Sequence, residues 1–345
     1  MKQLRLSILG FGVVGQGLAE LLHTKRELLR HNFDVEILLV GIANSRDGFV
    51  YRAEGLDIPR LLDLAAQRLP LVRHPDVRQW ESPLQGLLAS DSNVLAEVTG
   101  TNLRDAEPAI SHIRTALSAG MHVVTANKGP VALAAGELLA LAEQHNVQLR
   151  LESTVMAGTP ILSTIREGMA GVNVQAIRGI LNGTTNYILS AMAQGREYAD
   201  VLAEAQAQGY AEADPTADVE GYDVVAKTLI LASVVFGHPL KPEQVYRKGI
   251  TAVTKEQIQQ AQQIGKRIKL VASLTRGVDG APLVARVEPL ALPLTDALAH
   301  LDGAMNAITF FTDALSSVTV SGPGAGRLET GQGLLADLIA ISKIS

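Results

Sequence analysis

Leu4-Arg-Leu-Ser-Ile-Leu9-Gly10-Phe11-Gly12-Val13-Val14-Gly15 is the stretch on which the reading of this chain turns. Leu4–Leu9 has the β-rich texture of a strand, and Gly15–Leu29 carries the spacing of an amphipathic helix. A G-x-G-x-x-G that closes a strand and opens a helix is a dinucleotide-binding turn. Gly10 permits the tight bend, Gly12 lets the backbone approach a pyrophosphate, and Gly15 allows the helix to lie close on the strand. The helix N-terminus then presents N–H groups and positive dipole to the phosphates. The residues expected at the cofactor here are Gly10, Phe11, Gly12, Val13, Val14 and Gly15.

The pattern continues outward from this turn. Val35–Ala43, Val94–Val98, His122–Thr125 and Gln148–Glu152 read as further strands. Between them, Pro108–Ala119 and Ala132–His145 read as helices. Such alternation predicts an α/β fold, a Rossmann-type doubly wound parallel sheet. Thr99, Gly100 and Thr101, just past a strand end, join the expected cofactor contacts. Residues 46–88 hold four prolines and read as an excursion of short helices and loops.

After Glu152 the texture becomes α+β. Ile177–Leu181 reads as a strand, then a polar cluster leads into a helix over 187–194. Val224–Phe236 reads as a buried helix. Val271–Arg276 and Val284–Pro289 read as antiparallel strands, and Ile308–Asp313 with Val318–Val320 as a hairpin. A final helix, Thr330–Ile344, is long enough to pack back on the first domain. The expected division is therefore a dinucleotide-binding domain over 1–151 and 313–345. A catalytic and dimerisation domain fills 152–312.

Composition narrows the function. At 345 residues with 47% hydrophobic and 19% charged, the chain has material for two packed domains and is not disordered. A net charge of −5 and only 13 aromatic residues (6 Phe, 6 Tyr, 1 Trp) argue against a nucleic-acid partner. The absence of cysteine excludes disulfides, zinc-thiolate sites and thiol nucleophiles. The basic, apolar start is broken by Gly10, Gly12 and Gly15 and lacks a cleavage signature, and no stretch has 18 uninterrupted apolar residues. A soluble, cytoplasmic protein with no membrane partner is expected.

Three further signals carry chemistry. The second strand ends in Asn44, Ser45 and Arg46, with no carboxylate before Asp47. A carboxylate there holds the ribose 2′-OH of NAD, whereas Ser45 and Arg46 suit a 2′-phosphate, so NADP is expected over NAD. Thr125-Ala-Asn-Lys128-Gly-Pro130 ends a strand, which aims Lys128 at the nicotinamide crevice. The third signal is Glu212 to Lys227, with five carboxylates in the twelve residues 212–223. Asp223 and Lys227 share one face of an otherwise apolar helix. A buried charged pair is costly unless it is paired or functional, and this lysine is placed to protonate a developing alkoxide. The remaining acids suit a substrate ammonium group. The eight histidines have no metal-ligand spacing.

These segments together resemble the homoserine dehydrogenase family across essentially the whole chain. The resemblance rests on residues 10–17 (GFGVVGQG), 125–130 (TANKGP), 152–160 (ESTVMAGTP), 179–189 (GILNGTTNYIL), 209–227 (GYAEADPTADVEGYDVVAK) and 322–326 (GPGAG). It implies NAD(P)H-dependent reduction of L-aspartate 4-semialdehyde to L-homoserine, on the route to threonine, methionine and isoleucine. It implies Lys227 as proton donor, with Lys128 between cofactor and substrate. Asp223, Glu212, Asp218, Thr184 and Thr185 would line the substrate pocket. Gly209 and Gly326 would touch the cofactor, and a sodium ion would be held by Glu152 with Val155, Ala157 and Thr159. A homodimer is implied, joined through the second domain. Many members of the family carry a C-terminal regulatory ACT domain, and the last expected helix leaves no residues for one here, so feedback control through such a domain is not expected. Two alternatives stay open on the residues alone: a dehydrogenase of another small amino or oxo acid, and a non-catalytic NAD(P)-binding redox sensor.

Overall fold

Alternating apolar residues over Lys2–Leu9 place strand β1 at the centre of the first sheet. The others are β2 (Val35–Asn44), β3 (Gly48–Tyr51), β4 (Arg78–Trp80), β5 (Val94–Glu97), β6 (His122–Thr125) and β7 (Leu149–Arg150). This computed structural model describes residues 1–277 and 281–343. The sheet order is β4-β3-β2-β1-β5-β6-β7. Five strands, β2 through β7 by way of β1, run parallel, as expected of a doubly wound sheet. The excursion, read as short helices and loops, holds the helices Ile58–Ala66 and Pro83–Ala89 but also two strands: β3 and β4 add antiparallel to the edge. At four and three residues they are too short to leave a pattern among the prolines.

The order changes direction on either side of β1, which opens a crevice between β1 and β5. Gly10 closes it tightly. Its φ is +103°, and a Cβ there would sit 2.5 Å from the Val98 carbonyl oxygen. The helix that follows runs Val13–Thr24, and a second, Arg26–Phe33, continues after a break at Lys25. The sequence reads these as one helix. The helix expected from Ala132 begins instead at Lys128, capped by the Asn127 side chain, which accepts from the Gly129 N–H.

Contacts divide the chain into two units, Met1–Gly158 with Gly326–Ser345, and Thr159–Ala325. The last helix of the first unit spans Arg327–Ser342, and its expected end at Ile344 lies outside the described residues. It packs backbone to backbone on the helix Val13–Thr24: a Cβ on Gly17 would lie 2.1 Å from the Arg327 carbonyl oxygen.

The second unit holds a six-stranded sheet. Its strands are β8 (Val174–Ile180), β9 (Val245–Arg247), β10 (Lys266–Thr275), β11 (Val284–Pro293), β12 (Met305–Thr312) and β13 (Ser317–Pro323), in the order β13-β12-β8-β10-β11-β9. β10 and β11 pair antiparallel, as do β12 and β13. β8 lies between β10 and β12, so its carboxyl end emerges in mid-sheet. There it leads into the helix Gly183–Met192. The helix Tyr222–Phe236 is apolar nearly all round and accordingly buried.

The Gly17 contact has a direct consequence. Gly17→Val forces a side chain into a carbonyl, and overpacking of this kind costs about 1–3 kcal/mol. Its unfolding midpoint in urea should fall accordingly, and an unchanged midpoint would show that the two helices are not in close contact.

Candidate active site

In the first unit a cavity of about 1210 Å³ opens at the carboxyl ends of β1, β2 and β5. Gly10, Phe11, Gly12, Asn44, Ser45, Arg46, Thr99 and Gly100 line it. Gly12 faces open space, with nothing within 4 Å of an added Cβ, and it caps the helix without a side-chain hydrogen bond. Gly15 packs inward, where a Cβ would lie 2.2 Å from the Gly10 carbonyl oxygen. This combination of an open glycine, a close-packed glycine and a helix N-terminus without a capping side chain fits a dinucleotide pyrophosphate. Val13 is exposed in the first helical turn, while Val14 packs on the core. Thr101 is exposed beyond the lining, and Lys128 is half-buried at the first position of its helix. Gly326 caps the last helix at φ +136°. Gly209, at φ +77° and exposed, belongs to the second unit.

Hydrogen bonds across strand ends hold the cavity wall. The Thr99 hydroxyl donates to the buried Glu97 carboxylate at 2.5 Å, and Thr125 Oγ1 donates to the Glu97 carbonyl at 2.7 Å. Asn127 Nδ2 donates to the Thr99 carbonyl at 3.1 Å, tying β6 to β5. His112 also lines the cavity, with Nδ1 at 3.4 Å from Glu97. Sequence reading missed Gln16, His112 and the lining from Arg68 to Glu81, because the latter comes from the irregular excursion.

Arg46 is not arranged as expected. Its Nε and Nη2 donate to the Asp47 carboxylate at 3.1 Å each, Nη1 donates to the Arg68 carbonyl at 2.9 Å, and Nη2 donates to the Leu69 carbonyl at 2.7 Å. Four bonds occupy a guanidinium that has five N–H donors. Asp47 is 6% exposed and also accepts from Asn44 Nδ2 and the Leu71 N–H. Burial pushes its carboxyl up, but the hydrogen bonds from Arg46, Leu71 and Asn44 outweigh this and hold it below the usual aspartate range.

In the second unit a polar cluster forms where β8 ends. Lys227 is 7% exposed. Its Nζ lies 2.8 Å from Asp223 Oδ2 and donates to the Leu181 carbonyl at 2.5 Å. That leaves a third N–H for a substrate oxygen. Asn182 Nδ2 donates to both Asp218 Oδ1 at 2.7 Å and Asp223 Oδ2 at 3.1 Å. Its Oδ1 accepts the Thr185 N–H at 2.9 Å and caps the helix. Asn182 is thus the hub of the cluster, and sequence reading did not single it out. Thr184 donates to the Tyr210 carbonyl at 2.6 Å. Thr185 is fully buried with its hydroxyl turned onto Asn182, so it supports the cap instead of facing a pocket. Glu212 is exposed on the preceding loop, with its carbonyl accepting from Gln206 Nε2.

Asp218 is half-buried, and burial together with the neighbouring Asp223 charge pushes its carboxyl up against the pull of Asn182. Two carboxylates face one ammonium here, and the surplus negative charge suits a substrate ammonium group.

Among the residues expected at a cation, Glu152 is 2% exposed and its N–H donates to Asp337 Oδ2 at 2.9 Å. Val155 and Ala157 are buried, Ala157 at φ +50°. Thr159, in the second unit, donates to the Pro323 carbonyl at 2.9 Å. Among the described residues no three His, Cys, Asp or Glu side chains cluster as metal ligands. No helix there is long and apolar enough to cross a membrane.

The family model for homoserine dehydrogenase matches residues 160–339, and that for the homoserine dehydrogenase NAD-binding domain matches residues 10–152. The chain belongs to the homoserine dehydrogenase family. It is 40% identical over 343 residues to the NAD(+)-dependent homoserine dehydrogenase of Pseudomonas canavaninivorans, covering 99% of this chain and 97% of that protein. A crystal structure from Archaeoglobus fulgidus, itself named as a candidate homoserine dehydrogenase, superposes with a TM-score of 0.88 at 35% identity, covering 99% of both chains. A hyperthermophilic archaeal homoserine dehydrogenase in complex with NADPH gives 0.84 at 30% identity, covering 99% of this chain and 98% of that one. The chain is therefore an NAD(P)-dependent oxidoreductase acting on a CH–OH group.

The raised carboxyl of Asp218 yields a stability test. A folded-state value above the unfolded one means that ionised Asp218 costs stability above that value, and nothing below the unfolded value, where both states are protonated. Asp218→Asn should therefore raise the thermal midpoint at pH 7, with the gain vanishing as pH falls below the ordinary aspartate range. The same variant should raise KM for homoserine. A midpoint that drops at pH 7 would mean the Asn182 bond outweighs the burial cost.

Proposed function

We propose that this enzyme interconverts L-aspartate 4-semialdehyde and L-homoserine, with Lys227 as the acid–base group. The observation that carries this is the buried Lys227 ammonium, held between Asp223 and the Leu181 carbonyl with one N–H to spare. A nicotinamide held in the first-unit cavity would supply or take the hydride. In reduction, Lys227 donates a proton to the oxygen that becomes the homoserine hydroxyl, and its charge meets the developing alkoxide. Oxidation is the reverse: Lys227 enters as the neutral amine that its donation leaves, and takes the hydroxyl proton back as the hydride leaves the carbon. Asp223 keeps the ammonium aimed, and Asn182 holds Asp223 and Asp218 in register. Asp218 and Glu212 take the substrate ammonium, with Thr184 beside them. Lys128 adds a second positive charge for the alkoxide. Gly10, Gly12 and the first turn after them would hold the dinucleotide phosphates.

The preference for NADP expected from Asn44, Ser45 and Arg46 depends on Arg46 being available to a 2′-phosphate. Its commitment to Asp47, Arg68 and Leu69 argues the other way, and we take NAD as the working cofactor. The cofactor named for the Pseudomonas relative supports the same choice. A sodium ion at Glu152, Val155, Ala157 and Thr159 belongs to this proposal, supported by a donor set of one buried carboxylate with carbonyl oxygens. So do a place in the cytoplasm, in threonine, methionine and isoleucine synthesis, and a homodimer formed through the second sheet. The dimer is supported by β13, a sheet-edge strand exposed along most of its length.

Reduced nicotinamide should accumulate when the protein meets homoserine with NAD or NADP, and a flat trace with both contradicts the activity. Lys227→Ala should lower turnover by about 10²–10⁴-fold while leaving cofactor affinity unchanged. Turnover close to the parent's would remove Lys227 from the chemistry. Light scattering should give twice the chain mass of 36.6 kDa, and a single species at the chain mass would refute the dimer.

A further inference from the structure

We infer that Asp47 sets the cofactor choice of this enzyme by holding Arg46 away from the ribose 2′ position. The inference rests on the dinucleotide reading of the first-unit cavity. In a doubly wound sheet the 2′ substituent is read at the carboxyl end of the second strand. Here that strand is β2, and the residues after it line the cavity. The usual device for NAD is a carboxylate accepting from the 2′-OH, and for NADP an arginine meeting the 2′-phosphate. This chain has both residues, side by side, and they are bonded to each other.

Asp47 is the better anchored of the two. Its N–H donates to Asn44 Oδ1 at 2.6 Å, its carbonyl accepts from Gln79 Nε2 at 2.8 Å, and its carboxylate accepts from Asn44 Nδ2, the Leu71 N–H and Arg46. With 6% of its surface exposed, it cannot swing out to follow Arg46. Arg46 can leave, since its side chain is 51% exposed. While the pair holds, one guanidinium N–H remains for a phosphate, and the phosphate would sit against a fixed carboxylate. The two carbonyls that complete the arginine's hydrogen bonding, on Arg68 and Leu69, belong to residues that line the same cavity. Binding NADP therefore means breaking a bidentate ion pair and two wall contacts, whereas binding NAD breaks nothing. Asp47 discriminates by withholding the arginine, not by touching the ribose.

The test is a set of equilibrium titrations with NADH and NADPH, read by nicotinamide fluorescence without homoserine, so that it is independent of the catalytic proposal. The parent should bind NADH more tightly than NADPH by about tenfold or more. Asp47→Asn keeps the shape and removes the charge, and it should shift the ratio toward NADPH by about tenfold. In Arg46→Ala/Asp47→Asn that shift should disappear. Arg46→Ala alone should leave the ratio within about twofold of the parent, even if both affinities fall with the loosened wall. Three results would overturn the inference. One is a selective loss of NADPH affinity in Arg46→Ala, which would mean that the arginine already reads the phosphate. Another is an equal loss of both cofactors in Asp47→Asn, which would leave Asp47 a purely structural role. The last is an NADPH gain that survives without Arg46, which would pass the reading to another cation such as Arg68.

Discussion

The polar cluster at the end of β8 is organised around a costly arrangement, the Lys227 ammonium taken almost wholly out of water. A buried lysine is tolerable only when its charge is paired and its donors satisfied. Lys227 meets that condition with one carboxylate a helical turn away and one main-chain carbonyl at the end of β8. The elements around it bring those two together. β8 must lie in mid-sheet for its end to reach the helix Tyr222–Phe236, and it does, between β10 and β12. The chain must turn sharply there, and Asn182 makes the turn by capping the next helix while its amide bridges the two carboxylates. Lowering the cost of burial and fixing the direction of the ammonium group are one arrangement seen from two sides.

The first unit is organised by closeness instead. Three backbone approaches, Gly10 on Val98, Gly15 on Gly10 and Gly17 on Arg327, leave no room for a side chain. They draw β1, its helix and the last helix together, and so hold the helix N-terminus at the cavity. Where the wall is not built from regular elements it is fastened by polar groups, Thr99 and Asn127 on one side and Arg46 with Asp47 on the other. Both fastenings also border the space a cofactor fills, which is why residues of the right type for recognition turn out to be occupied in support.

How much of this was legible in the sequence depended on range. The Gly10–Gly15 turn, the Asp223–Lys227 pair and the antiparallel strands are local patterns, and each is present, though β10 starts at Lys266 where Val271 is expected and β11 runs on from Pro289 to Pro293. β3 and β4 were not legible, because strands of four and three residues carry no period. Asn182 was passed over because its partners lie 36 and 41 residues away. The engagement of Arg46 was hidden for the same reason: the carbonyls that complete it are 22 and 23 residues further on, in the stretch read as irregular. Thr185 illustrates the remaining case, a side chain of the right chemistry that folding turns toward its own cap.

What Lys227 touches decides the chemistry of this site. A crystal structure with homoserine and NAD bound decides it most directly. The homoserine hydroxyl should lie within ordinary hydrogen-bonding distance of Lys227 Nζ, with Asp223 and the Leu181 carbonyl still bonded to the same nitrogen. A hydroxyl held by another side chain, with Lys227 closed off behind Asp223, would contradict the account.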